Sequence, residues 1–199
     1  GTIYTDEAKS GNVGNGVTVG LSVNGGPKTT TTTTAGAFTF TEVEVSGNYS
    51  ITIFIDGHAS YEANLITKTI DDVTDITGLQ MYTNKIVLRH ESTTAITNTL
   101  LAIADNSADD DIHYTISGLD VDFDDGYEVW IDAAKTYSPG GNVEVDDLEV
   151  VGTGIFDPSG NFVTVHGDWK VSATASFTST GGVTFDGTLT QVVTTGGTD

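Results

Sequence analysis

The sequence predicts an all-β protein. An N-terminal Ig-like or prealbumin-like β-sandwich leads into a C-terminal β-solenoid-like lobe. Three observations predict this. Thr fills 34 of 199 positions and stands beside abundant Val, Ile, Tyr and Phe, all strand formers. Apolar residues alternate with polar ones over short runs bounded by Gly and Asn. In the second half, apolar positions recur every twenty residues, the length of a solenoid rung.

Residues 1–90 hold the expected sandwich, with about seven short strands at sandwich spacing. Thr2, Ile3 and Tyr4 make the first. Val17, Val19, Leu21 and Val23 alternate in the second, and Asn24-Gly25-Gly26-Pro27 supplies a turn. Thr29–Thr34 reads as a polar edge strand, because β-branched side chains favour extended backbone. Phe38 and Phe40 share a face of the next. Tyr49, Ile51, Ile53 and Ile55 share another, with Phe54 pointing the opposite way and Asp56-Gly57 marking a hairpin. Tyr61–Ile66 and Ile76–Tyr82 complete the set.

Residues 91–111 read as a connector with one short helix and an acidic loop. Ile96, Leu100 and Ile103 are spaced to share a helical face, and Asn98 is placed to cap it. Residues 112–199 carry the repeat, with rungs near 143, 163 and 183. Val143, Val163 and Val183 form one series, Val145, Val165 and Phe185 a second, and Leu148, Trp169 and Leu189 a third. Phe156 and Phe177 add a pair. Stacked rungs would bury a continuous core that no single rung can bury alone. A meander of antiparallel strands is the competing arrangement.

Two resemblances follow from these segments. Gly1–Glu7, Val17–Val19 and Thr33–Phe40 resemble the carboxypeptidase-regulatory-like, or prealbumin-like, β-sandwiches. More broadly, Tyr49–Gly57, Ile86–His90, Ile96–Ala104, Asp111–Gly118 and Pro139-Gly140-Gly141-Asn142-Val143 resemble a tandem repeat module of large bacterial surface proteins. There a sandwich precedes β-helix-like rungs similar to Val163–Trp169 and Val183–Thr188. The resemblance implies an extracellular structural or adhesive module strung in tandem, and no catalytic residues.

Composition narrows the function. The chain has 28 acidic and 7 basic residues, a net charge of −21, and no Cys. That balance excludes a nucleic-acid backbone as partner, because phosphate attracts clustered Lys and Arg. No apolar run has the ~20 residues of a membrane-spanning helix, so membrane insertion is not expected. Without Cys there is no disulfide framework, thiolate zinc site or thiol nucleophile. The chain opens at Gly1, as a mature product or an excised segment does.

Fourteen of the acidic residues lie between Asp105 and Glu149, where the only Lys or Arg is Lys135. Asp105, Ser107, Asp109, Asp110 and Asp111 place oxygen ligands close together, as calcium loops do, without the Gly and distal Glu of an EF-hand. Asp120, Asp122 and Asp124 share one strand face and form a second Ca2+ candidate. A solvated acidic face is the alternative for both. Trp130 and Tyr137 are candidates for stacking on a glycan, and core packing is the competing role. Carboxylate pairs also permit polysaccharide hydrolysis, but aromatic residues are few and Arg89 is the only arginine.

The termini are strand-like, and unpaired edges recruit other chains. Thr2, Ile3 and Tyr4 at one end and Leu189, Gln191 and Val193 at the other are candidate assembly strands for β-augmentation. The expected function is a non-catalytic structural module of a bacterial cell-surface or extracellular fibre, its partners copies of itself or sister repeats. A carbohydrate-binding adhesin domain is the alternative.

Overall fold

The computed structural model describes residues 1–105 and 109–196 and is all-β, with 4% of residues helical and 40% in strands. β1 (Thr2–Tyr4) opens the chain. β2 (Thr18–Val23), β3 (Thr29–Thr32), β4 (Ser50–Ile55) and β5 (Asn64–Lys68) then form an antiparallel array ordered β3-β2-β4-β5. β6 (Gln80–Tyr82) returns to pair in parallel with β1. β7 (Lys85–Leu88) adds to β5, also in parallel.

From β7 the chain coils. α1 (Asn98–Ala104) and the antiparallel hairpin of β8 (Tyr114–Ser117) and β9 (Asp120–Phe123) interrupt the first turn. Two regular turns follow: β10 (Glu128–Ile131), β11 (Thr136–Tyr137) and β12 (Val143–Val145), then β13 (Asp147–Val150), β14 (Ile155–Ser159) and β15 (Val163–Val165). β16 (Trp169–Val171), β17 (Ser176–Ser179) and β18 (Val183–Phe185) make the next, and β19 (Val193–Thr195) ends the described coil. Equivalent strands pair in parallel and in register, which makes this a β-solenoid of about 6 turns rather than a meander. It has three sheets, ordered β19-β16-β13-β10-β7-β5-β4-β2-β3, β11-β14-β17 and β18-β15-β12-β9-β8.

The twenty-residue series have a structural cause. Val143, Val163 and Val183 pair with one another across rungs, and so do Val145, Val165 and Phe185. Phe156 pairs with Phe177. The third series needs correcting: Leu148 pairs with Trp169, but Trp169 pairs with Val193, and Leu189 is 84% exposed. The segment between β18 and β19 is longer than in earlier turns, so equal spacing selects the wrong residue. At the corners the rungs approach closely. A Cβ on Gly141 would lie 1.8 Å from the Leu119 carbonyl oxygen, so only glycine fits there.

An N-terminal sandwich is not confirmed. β2 to β5 belong to the sheet that also lines the solenoid. One face of that sheet, through Phe54, Ile66, Ile86 and Leu88, joins the solenoid core. The other, through Val19, Leu21, Ile51, Ile53, Leu65, Val87 and Trp130, is covered by Ile3, Phe38, Met81 and Tyr82. That covering layer is the β1–β6 pair plus irregular chain. Each fully buried aliphatic side chain contributes about 1.5–3 kcal/mol, so both faces stabilise the sheet.

The helix also differs in detail from expectation. Thr97 is the N-cap, accepting a hydrogen bond from the Leu100 N–H, and Asn98 is the first helical residue with its side chain buried. The buried face is Asn98, Leu100, Leu101 and Ala104, while Ile103 is half exposed.

Candidate functional site

The acidic junction is built by three distant segments. β4 ends at Ile55 and delivers Asp56. The turn before β3 delivers Lys28. The chain after α1 delivers Asp109 and Asp111. Carboxylate oxygens of Asp56, Asp109 and Asp111 lie within 4.8 Å of one another, close enough to share one cation. Lys28 Nζ stands among them, 2.7 Å from Asp56 and 2.7 Å from Asp109. These two carboxylates, Asp109 first, hold the Lys28 ammonium well above its usual pKa.

Backbone donors anchor the cluster. The Gly57 N–H donates to Asp111 at 2.8 Å, and Asn64 Nδ2 donates to the Asp111 carbonyl at 2.7 Å. Burial raises the Asp111 carboxyl, and the negative charges of Glu62, Asp109 and Asp56 add to the shift. Burial likewise raises Asp105, which forms the C-cap of α1. Asp110 is exposed, and Ser107 lies outside the described residues. Sequence reasoning found Asp109 and Asp111 but missed Asp56 and Lys28. Asp56-Gly57 reads as a hairpin signal, and nothing local marks its approach to residue 109.

The second Ca2+ candidate does not converge in the same way. β9 turns Asp120 and Asp122 to solvent, opposite buried Val121 and Phe123, as the alternation predicts. Asp120 accepts the Asn142 N–H at 2.7 Å, and Asp124 faces His113 Nδ1 at 3.4 Å. None of Asp120, Asp122 and Asp124 belongs to a carboxylate trio among the described residues. The other trio is Glu7, Glu128 and Glu149, into which Lys85 and Lys170 project as counter-charges. Burial raises the Glu128 carboxyl, opposed by its ion pair with Lys85. A further polar ladder climbs the five-stranded sheet. His166 bridges Glu144 at 2.9 Å and Asp186 at 2.8 Å across successive rungs.

The two aromatic candidates are enclosed. Trp130 is 7% exposed, packed on Tyr82 with ring centroids 5.2 Å apart and crossed by the Lys85 ammonium. Tyr137 is 0% exposed and stacks on Phe156 at 5.4 Å inside the solenoid. Neither presents the open flat ring that stacking on a sugar requires, because each fills an interior position of a rung or of the layer above it.

The assembly candidates split. β1 is held on both sides, by β6 and by bridges from Thr2 to Ala37 and Tyr4 to Asn12, with Ile3 fully buried. It is already a pairing partner within its own chain and is not free for donation. Toward the other terminus, β19 pairs among the described residues with β16 on one side only. Val193 and Leu189 are exposed, and Gln191 Nε2 donates to the carbonyls of Val165 and Gly167 at 2.9 Å each. Among the described residues no helix is long and apolar enough to cross a membrane. Comparison with protein-family models, with curated proteins and with solved structures finds no match.

Proposed function

We propose that this chain is a non-catalytic structural module of a bacterial cell-surface or extracellular fibre. One observation carries the reading: a single nine-stranded sheet runs from the antiparallel array to the last described rung, and among the described residues its two end strands, β3 and β19, each pair on one side only. Such a sheet is a stiff element with hydrogen-bonding edges at both ends, suited to tandem linkage or strand-to-strand addition. The charged clusters fit the same role. Their carboxylates are bonded to Lys28, Lys85 and Lys170, partners that tie distant segments together.

Calcium at the junction belongs to this proposal as a stiffening ion. It would join Asp109 and Asp111 in competition with Lys28. Thermal melts with calcium and matched magnesium check it: a larger shift with calcium is expected, and equal shifts would refute it. The fibre reading is tested by electron microscopy of the purified chain, where filaments are expected. Dispersed particles, together with specific binding on a glycan array, would favour an adhesin instead.

A further inference from the structure

In one place in the coil an imidazole stands where a backbone carbonyl is expected. Thr136, Ile155 and Ser176 are register partners at the start of β11, β14 and β17. In β14 and β17 the amide at this place is met by the rung before it. The Ile155 N–H donates to the Lys135 carbonyl at 2.8 Å, and the Ser176 N–H donates to the Gly154 carbonyl at 2.9 Å. β11 is the end strand of this sheet. Its Thr136 N–H donates instead to His90 Nε2, at 2.9 Å.

His90 is 7% exposed and lies just past β7, where the chain leaves the nine-stranded sheet toward α1. Because Nε2 accepts, the ring proton sits on Nδ1, which donates to the Ser92 carbonyl. Two further bonds fasten the same corner. Lys135 Nζ donates to the His90 carbonyl at 2.7 Å, and the Ile96 N–H donates to the Thr136 carbonyl at 2.9 Å. Segment 90–96 thus closes the outer edge of β11, and the group that closes its first amide can titrate.

A backbone carbonyl accepts at every pH, whereas an imidazole accepts with a ring nitrogen only while neutral. A proton on Nε2 sets N–H against N–H and takes the acceptor from a buried amide. The charges around the ring give that proton little support. Lys135 and Arg89 oppose it and Glu91 favours it. Glu91 is engaged by Arg89 through both carboxylate oxygens, at 2.7 and 3.0 Å, and Asp132 stands 3.9 Å from Arg89. Burial is the largest influence and lowers the His90 pKa.

We propose that His90 is an acid-released cap on the edge of β11: a proton on Nε2 parts segment 90–96 from Thr136 and uncovers the strand edge. The closed form excludes the proton, and the open form binds it as an ordinary imidazole does, so acidity below about pH 6.5 favours opening. Between pH 7.5 and pH 5 the opened population rises about 30-fold. The uncovered edge presents free N–H and C=O groups. The switch is independent of the fibre reading, since it involves one chain alone.

Amide exchange followed by NMR on the 199-residue chain tests it. After correction for intrinsic rates, protection at Thr136 and Ile96 is expected to fall about 30-fold from pH 7.5 to pH 5, while Ile155 and Phe156 of β14 keep theirs. His90→Gln supplies a carboxamide oxygen that accepts without titrating, and it is expected to hold Thr136 protection level over the same range. Protection at Thr136 that ignores pH in the parent chain overturns the inference. So does an equal fall at β14, which is general loosening in acid. A variant that keeps the parent's pH dependence also overturns it, because the titrating group then lies elsewhere. If the variant fails to fold, the parent's contrast between β11 and β14 decides alone.

Discussion

The Tyr137 hydroxyl donates to Oδ1 of Asn98 at 2.6 Å, and both side chains are fully buried. Asn98 Nδ2 in turn donates to the carbonyls of Leu119 and Asn142 at 2.7 and 3.2 Å. One amide thus ties the start of α1 to the β8–β9 turn, the corner before β12 and the aromatic column. Tyr137→Phe leaves the Asn98 oxygen unpaired in an apolar interior and should cost about 1–3 kcal/mol. Asn98→Leu strands the hydroxyl and takes the amide donor from the Leu119 carbonyl, while the Asn142 carbonyl keeps the Val121 N–H at 3.0 Å, and it should cost more. Urea unfolding of both variants and of the double variant checks the coupling. Additive losses would show that the bond does not link the two residues.

Phe156 lies between Tyr137 at 5.4 Å, Phe177 at 5.6 Å and Trp169 at 6.1 Å. Phe156→Ala opens a cavity in the middle of the column and should destabilise the chain by about 3–5 kcal/mol. Phe162 is 62% exposed, and its replacement by Ala should cost under about 1 kcal/mol. Comparable losses at the two sites would show that the column is not the main store of stability.

Two histidines should give opposite pH slopes. The hydrogen bond to Glu144, with the charge of Asp186, raises the pKa of His166. Its folded form holds a proton more tightly than the unfolded chain. The contribution is complete below about pH 6.5 and is lost as pH rises through the folded value. Burial lowers His90, whose Nδ1–H donates to the Ser92 carbonyl while Nε2 accepts the Thr136 N–H at 2.9 Å. Its contribution is complete above about pH 6.5 and is lost as pH falls toward the folded value. Imidazole NMR titrations should place the two midpoints on opposite sides of that value, and His166→Gln should flatten only the alkaline limb of stability.

Lys28→Met removes the ammonium from Asp56 and Asp109 and leaves three carboxylates within 4.8 Å. The variant should be less stable in plain buffer and should regain stability with calcium more than the parent chain does. Magnesium should rescue it less, because it demands tighter octahedral geometry and sheds water reluctantly. A parent chain that responds more strongly than the variant would show that Lys28 assists the ion instead of excluding it.

The rung columns were legible because in-register parallel stacking sets like residues over like, as with Val143, Val163 and Val183. Leu189 was misplaced because a fixed period assumes equal turns, and the last turn is longer. The strands of the first half were largely legible and their partners were not. Alternation reports which residues of β4 share a face, but Phe54 opposite Ile53 fits a sandwich and a sheet buried on both sides equally well. The trio with Lys28 was illegible for a related reason: its members meet through strand pairing across the whole first half, and no spacing encodes that.

The nine-stranded sheet also sets an order of formation. β10, β13, β16 and β19 each join a neighbour one turn away in sequence, whereas joining β7 to β10 must close the whole excursion through α1 and the β8–β9 hairpin. Closure entropy grows with the length enclosed. The antiparallel array is therefore expected to form first, with the excursion closing more slowly than the rungs that follow it. Amide exchange should record that history as protection that declines from β7 toward β19, with uniform protection along the coil contradicting it.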